Sequence, residues 1–190
     1  LRFLFCFSMF IPKKELKEQF NPSKYPQEAY LLCILQWGKN GRPWTHWVKN
    51  DPDDDCHAEV YFLKKIFEMR RSSHVTCSMT WYLSWSPCPN CCYEIRKFIR
   101  RNSYVSIDIR VARLYYINYQ EFRRGLQNLM TWVKLTVNNL VSVSPDYINC
   151  CKIFGKGDAA ADDNSWITNF QSAITKNCSN LRAISKVSRY

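Results

Sequence analysis

The 190-residue sequence predicts an α/β domain, a mixed five-stranded sheet with about six helices packed on its faces. Three observations predict it. From position 57 onward, strand-like and helix-like stretches alternate, the pattern of parallel strands joined by helical crossovers. Before that, the apolar runs AYLLCILQWG and PWTHWVK flank a short KNG link, which suits an antiparallel hairpin. Hydrophobic residues make up 46% of the chain and aromatics 15%, enough for one sizeable core and too much for a disordered chain.

In chain order, PKKELKEQF reads as a short charged helix after Pro12. The next two runs are the hairpin strands, with Asn40-Gly41 at the turn. DPDDDC is a loop, and HAEVYFLKKIFEMRR is amphipathic at helical spacing, with Val60, Leu63 and Phe67 on one face. VTCSMTWYLSW is a strand that stops at Ser86-Pro87. CPNCCYEIRKFIRR is a helix with Ile95, Phe98 and Ile99 apolar, and VSIDIRVARLYY a buried strand. YQEFRRGLQNLMTW is a helix and KLTVNNLVSV a strand. A helix opens at Pro145 in PDYINCCKIF, and SWITNFQSAI suggests a last one.

Residues 12–190 are expected to form a single domain. Residues 1–11 read as an extension whose status the sequence leaves open: an apolar run with one positive charge, no small-residue cleavage site and no initiator Met. It is the edge of a fragment or an upstream extension, with Met9 as an alternative start. No stretch approaches a membrane span, so no membrane partner is expected. Asn177-Cys178-Ser179 fits a glycosylation triplet, a pattern common by chance.

The formal charge of +11 is high for this length and favours a polyanionic partner. Between Tyr93 and Gly125, Arg96, Lys97, Arg100, Arg101, Arg110, Arg113, Arg123 and Arg124 outweigh Glu94, Asp108 and Glu121. Phosphate contacts by such residues make binding salt-sensitive; the bland alternative for each is a solvated helix face. The ten cysteines include two adjacent pairs, Cys91-Cys92 and Cys150-Cys151, which suit disulfides poorly. Buried thiols with two metal ligands, in a reducing compartment, are the better reading.

His57 stands two residues ahead of Glu59 in a chain with three histidines, and Cys88 and Cys91 follow at three-residue spacing. Cysteines at i and i+3 share a helix face, so both thiolates reach one ion. Helix N-termini also stabilise the anionic thiolate. One imidazole and two thiolates make a zinc set, one Zn2+ per chain, whose fourth tetrahedral position is left open as in catalytic sites. Glu59 sits beside the ion without ligating it and is the candidate proton carrier between an activated water and a substrate nitrogen. The alternative is a closed structural site, with Cys56, Cys77 or Cys92 as fourth ligand and Glu59 an ordinary helix-start acid.

The set His57-Ala58-Glu59, 27 residues, then Pro87-Cys88-Pro89-Asn90-Cys91 resembles the signature of zinc nucleobase deaminases. SWSPC and ARLYY are similar to the AID/APOBEC family of polynucleotide cytidine deaminases. EAYLLCILQWG, EVYFLKKIF, TCSMTWYLSWSPC and RRGLQNL are similar to its apolipoprotein B messenger RNA-editing branch. The resemblance runs from about Pro12 to Phe154. It implies a cytidine deaminase-like three-layer fold and zinc-dependent hydrolytic deamination of cytosine to uracil in single-stranded polynucleotide, DNA favoured. C-to-U RNA editing is the alternative; a non-catalytic zinc-containing nucleic-acid-binding module is the competing class. Cytoplasm or nucleus is the expected location.

By position, the resemblance makes Trp85 and Tyr115 the aromatic walls for the flipped cytosine. The Ala58 N–H and Ser86 carbonyl are implied contacts to the base oxygen and amine, and Asn50 lies near the target sugar. Arg113 opens ARLYY as a further substrate contact, and Tyr116 begins the stretch that reads the preceding nucleotide. Independently, a base attacked on its ring must leave its stack, and aromatic walls receive it; plain core packing is the alternative for Trp85 and Tyr115. Four departures from the family stand out. Asp51, Asp53, Asp54 and Asp55 sit beside the expected pocket, Ala29 replaces a frequent threonine, Cys151 a frequent tryptophan, and the tail after Phe154 lacks the editing branch's apolar, proline-rich character.

Overall fold

The structure, a computed structural model, describes residues 10–50, 56–70, 75–137, 152–156 and 170–186. In chain order its elements are β1 (Ile11–Pro12), α1 (Lys13–Gln19), β2 (Tyr30–Trp37), β3 (Trp44–Lys49), α2 (Ala58–Tyr61, Phe62–Phe67 and Glu68–Arg70), β4 (Cys77–Leu83), α3 (Pro89–Arg101), β5 (Val105–Val111), α4 (Gln120–Met130), β6 (Lys134–Val137), β7 (Gly155–Lys156) and α5 (Gln171–Lys186). The main sheet has five strands in the order β3-β2-β4-β5-β6. β2 pairs antiparallel with β3 and with β4, while β4, β5 and β6 run parallel. This is the expected hairpin followed by crossovers, and parallel neighbours need the long connections that α3 and α4 provide.

Strand alternation divides the core into two layers. Leu31, Cys33 and Leu35 of β2, with Met79 and Trp81 of β4 and the apolar series Val105, Ile107, Ile109 and Val111 of β5, face α2, α3, α4 and α5. Tyr30 and Leu32 face the other way, onto Leu16 and Phe20 at α1, Ile11 and Phe154. Helices on both faces of one sheet make three layers. Each fully buried side chain of the class of Phe62 or Phe67 contributes about 1.5–3 kcal/mol.

Several details differ from expectation. The β2–β3 connection spans 38–43, and its left-handed residue is Gly38 at φ 63°, not Asn40-Gly41. Only glycine takes that φ without strain; the Gly38 N–H donates to the Thr76 carbonyl at 2.7 Å, which pins the turn to the start of β4. Phe62–Phe67 is π-helical. The wider turn places Phe62, Leu63, Ile66 and Phe67 inward together while Lys64 and Lys65 stay exposed.

Ile11 belongs to the fold: it is fully buried and pairs with Gly155 in a separate two-stranded parallel sheet. The last helix lies later than SWITNFQSAI suggests and runs to Lys186, burying Ile174, Leu181 and Ile184. Its polar run 176–180 hid that sparse stripe. Asn177 of the glycosylation triplet is inside this helix and donates Nδ2–H to the Ala112 carbonyl at 3.3 Å. The acidic loop 51–55, Cys151, the end of the sixth strand beyond Val137 and the helix start at Pro145 lie outside the described residues. No helix among the described residues is long and apolar enough to cross a membrane.

Candidate active site

Two helix starts build the metal-binding corner. His57 is the N-cap of α2, in extended conformation, and Cys88 is the N-cap of α3, followed by Pro89 in the first turn. Proline fits there because its missing N–H would have no intrahelical acceptor. The Cys91 N–H donates to Cys88 Sγ at 3.5 Å, so one turn of helix fixes the spacing of the two sulfurs. His57 Nδ1 lies 3.4 Å from Cys88 Sγ and 3.3 Å from Cys91 Sγ. Tetrahedral zinc, with Zn–S near 2.3 Å and Zn–N near 2.0–2.1 Å, holds its N and S donors about 3.5 Å apart, so the three residues fit the ion.

α4 buttresses this corner: a Cβ at Gly125 would come 3.2 Å from Pro89 Cα and 3.7 Å from Cys92 Sγ. Glycine lets α4 cross the start of α3 at close range.

The thiols are unequal. Cys88 is held down to about 5, first by the hydrogen bond from the Cys91 thiol and then by backbone N–H groups at the helix start. Cys91 is pushed up, because its proton bonds Cys88 and because it is buried beside Glu59. A bound cation would hold both as thiolates.

Among the described residues, the donor group closes at His57, Cys88 and Cys91. Cys92 turns away to the Pro87 carbonyl at 3.6 Å and is raised by burial. Cys77 is buried in the core at the start of β4, its thiol raised to about 12. Cys56 is also outside the group. A closed four-ligand site therefore has no support among these candidates. Glu59 is 8% exposed, and burial raises its carboxyl above the usual range. Its Oε2 lies 3.6 Å from Cys91 Sγ, next to the donor set but not in it.

A cleft of about 570 Å³ opens above this corner. Asn50, Ala58, Trp85, Ser86, Tyr115 and Tyr116 line it with His57, Glu59 and Cys88. Trp85 and Tyr115 meet edge to face, ring centroids 5.8 Å apart at 69°. Ser86 fixes Tyr115: its Oγ accepts the Tyr115 N–H at 2.8 Å, and its own N–H donates to the Arg113 carbonyl at 2.8 Å. Asn50 Oδ1 accepts the Ala29 N–H at 2.6 Å, which engages the oxygen end of its amide. Ala29 lines the cleft too. Tyr116 is 55% exposed at φ 45°, in an aromatic group with Tyr115, Tyr119 and Phe122.

Arg113 is placed otherwise than as a substrate contact. Its side chain is buried and bonded to main-chain carbonyls at the end of α1 and in the segment that follows, outside the cleft lining. The basic series around it divides as well: Arg110 pairs with Asp108 at 3.2 Å, while Arg100, Arg101 and Arg124 are exposed. Tyr25 and Pro26, absent from the sequence-based set, are at the mouth. The Tyr25 ring is 6.0 Å from that of Trp85, and the Pro26 carbonyl accepts the Trp85 Nε1–H at 3.2 Å. An exposed tyrosine in a polar loop carries no periodic signal; nearness to Ala29 is the one pointer.

The sequence model of the APOBEC4-like AID/APOBEC-deaminase family matches residues 19–157. The C->U-editing enzyme APOBEC-1 of Homo sapiens is 36% identical over 137 residues, 71% of this chain and 55% of that protein. The enzyme of the same name from Mus musculus is 34% identical over 145 residues, 76% of this chain and 61% of that protein. The DNA dC->dU-editing enzyme APOBEC-3H of Macaca mulatta is 38% identical over 140 residues, 73% of this chain and 63% of that protein. The matches thus span 55% to 63% of these relatives' lengths.

Proposed function

The chain belongs to the AID/APOBEC deaminase family, and from that premise we propose that it hydrolytically deaminates cytosine to uracil in single-stranded polynucleotide, with DNA the first substrate and RNA the second. One observation carries the reading: the Glu59 carboxyl is buried beside a three-donor metal set, outside it, and faces a cleft walled by Trp85 and Tyr115. Held by His57, Cys88 and Cys91, zinc supplies the Lewis acidity that makes water a nucleophile near neutral pH.

The chain's own residues do the rest. Glu59 takes a proton from the attacking water and delivers it to the ring nitrogen. Buried beside the donor set and outside it, the carboxylate is placed to hold a proton between the two transfers. Water adds at the ring carbon bearing the amine, the C–N bond breaks, ammonia leaves with the second proton, and a carbonyl remains. Trp85 and Tyr115 receive the unstacked base, a contact worth about 1–3 kcal/mol per base. The Ala58 N–H, at the first turn of α2 where intrahelical acceptors are missing, reads the base oxygen, the Ser86 carbonyl the amine, and the Asn50 amide the sugar. Tyr116 holds the preceding base.

The charge of +11 supports a polyanionic strand. DNA stands first, supported by the relative named for DNA dC->dU editing, and RNA second, because others are named for C->U editing without that restriction. The buried thiols of Cys33, Cys77 and Cys92 fit a reducing location, cytoplasm or nucleus.

The test is uracil formation in a DNA oligonucleotide with one cytosine, beside the matching RNA and a Glu59→Ala variant checked for retained zinc. Wild type should convert DNA faster than RNA, and the variant should lose about 10²–10⁴-fold of the rate. Folded, zinc-loaded wild type without product on either strand would overturn the proposal.

A further inference from the structure

Arg113 is a cation buried to 1% exposure that has no carboxylate partner among the described residues. Nη1 donates to the Asn21 carbonyl at 2.6 Å and the Lys24 carbonyl at 3.1 Å, and Nη2 donates to the Gln19 carbonyl. Its Cζ stands 4.5 Å over the Trp85 ring. Burial lowers its pKa only to about 10, so the group stays charged at neutral pH. A buried charge is costly unless fully hydrogen-bonded. Here main-chain carbonyls take both Nη groups and an aromatic face lies against the guanidinium, while Nε has no hydrogen-bond partner among the described residues.

Those contacts converge on the mouth of the cleft. The three carbonyls belong to the segment that leads into Tyr25 and Pro26, which cover Trp85. The main-chain carbonyl of Arg113 accepts from Ser86, whose Oγ in turn fixes Tyr115. One residue thus joins the loop, the first aromatic wall and the strand end that carries the second. A planar fork with several donors spans separated carbonyls and stacks on an indole; a lysine ammonium does neither as well.

We propose that Arg113 is a positioning residue, which fixes the segment 19–27 and Trp85 as a preformed mouth for the substrate base without touching it. Its effect on turnover rests on the deaminase reading; its structural role does not.

The test compares wild type with Arg113→Lys in two arms. Lys24–Tyr25 is a tryptic bond whose carbonyl Arg113 holds. Cleavage there should speed up about tenfold or more in the variant, while cleavage elsewhere and the melting temperature barely change. In the oligonucleotide assay, KM should rise about tenfold with kcat within about threefold, the mark of lost uniform binding. Unchanged cleavage, unchanged KM or a loss confined to kcat would overturn the assignment. So would a variant that fails to fold, because the role proposed is local to the mouth. If wild type deaminates nothing, the deaminase reading fails by itself, and the cleavage arm still decides whether Arg113 holds the loop.

Discussion

The metal corner and the cleft mouth sit within one cavity, yet they are assembled by different means. The corner takes its donors from two helix starts, His57 capping α2 and Cys88 capping α3, with Cys91 one turn further on. A helical turn sets the sulfur spacing, and Gly125 sets the approach of the neighbouring helix. The mouth gathers Tyr25, Trp85 and the pair Arg113 and Tyr115 from three separate connections. Its bonds join residues 29, 59 and up to 94 positions apart. The corner is a product of local helix geometry, whereas the mouth exists only when several loops are correct together. Changes at the mouth should therefore alter substrate handling while the metal corner survives.

The largest expected effect is at the corner. Cys91→Ser replaces a buried thiolate donor and should cut zinc from about one ion per chain to a small fraction, with activity lost in parallel; metal analysis after dialysis checks it. Retained zinc would mean that the corner does not depend on this donor set. Trp85→Ala comes next and probes the separation directly. Loss of one base-stacking surface should raise KM for the oligonucleotide about 5- to 160-fold, corresponding to about 1–3 kcal/mol, with zinc content unchanged. A fall in zinc together with KM would break the distinction between corner and mouth. The smallest effect is at Lys24, whose ammonium pairs with Glu18 at 2.6 Å with both side chains about half exposed. Exposed pairs of this kind contribute little, so Lys24→Gln should leave the melting temperature and KM unchanged in the same assays. A large shift there would show that the loop depends on its charge as well as on its main-chain carbonyls.

The sequence by itself determined the sheet, its antiparallel opening hairpin, its parallel crossovers and the metal corner. Each has a short-range signature. Alternation in VSIDIRV exposes a two-residue period, Val60, Leu63 and Phe67 a helical one, and the spacing of His57 to Glu59 and of Cys88 to Cys91 falls within one helical turn. Local rules also left marks that the fold overrode. Asn40-Gly41 has turn chemistry, but the strand ends put the left-handed position at Gly38, where the N–H reaches Thr76. The polar run in α5 concealed a helix whose apolar residues count only against α4 and β6.

What the tertiary structure alone decided is the role of the loop residues. Tyr25 is 78% exposed and belongs to no periodic pattern. Arg113, in a basic series, looks like a surface cation until its guanidinium is placed against carbonyls more than 88 residues earlier in the chain. Spacing encodes which side chains share a turn or a strand face, because those distances follow from backbone geometry. Contacts between loops follow from where whole elements come to rest, and no short stretch of sequence carries that distance.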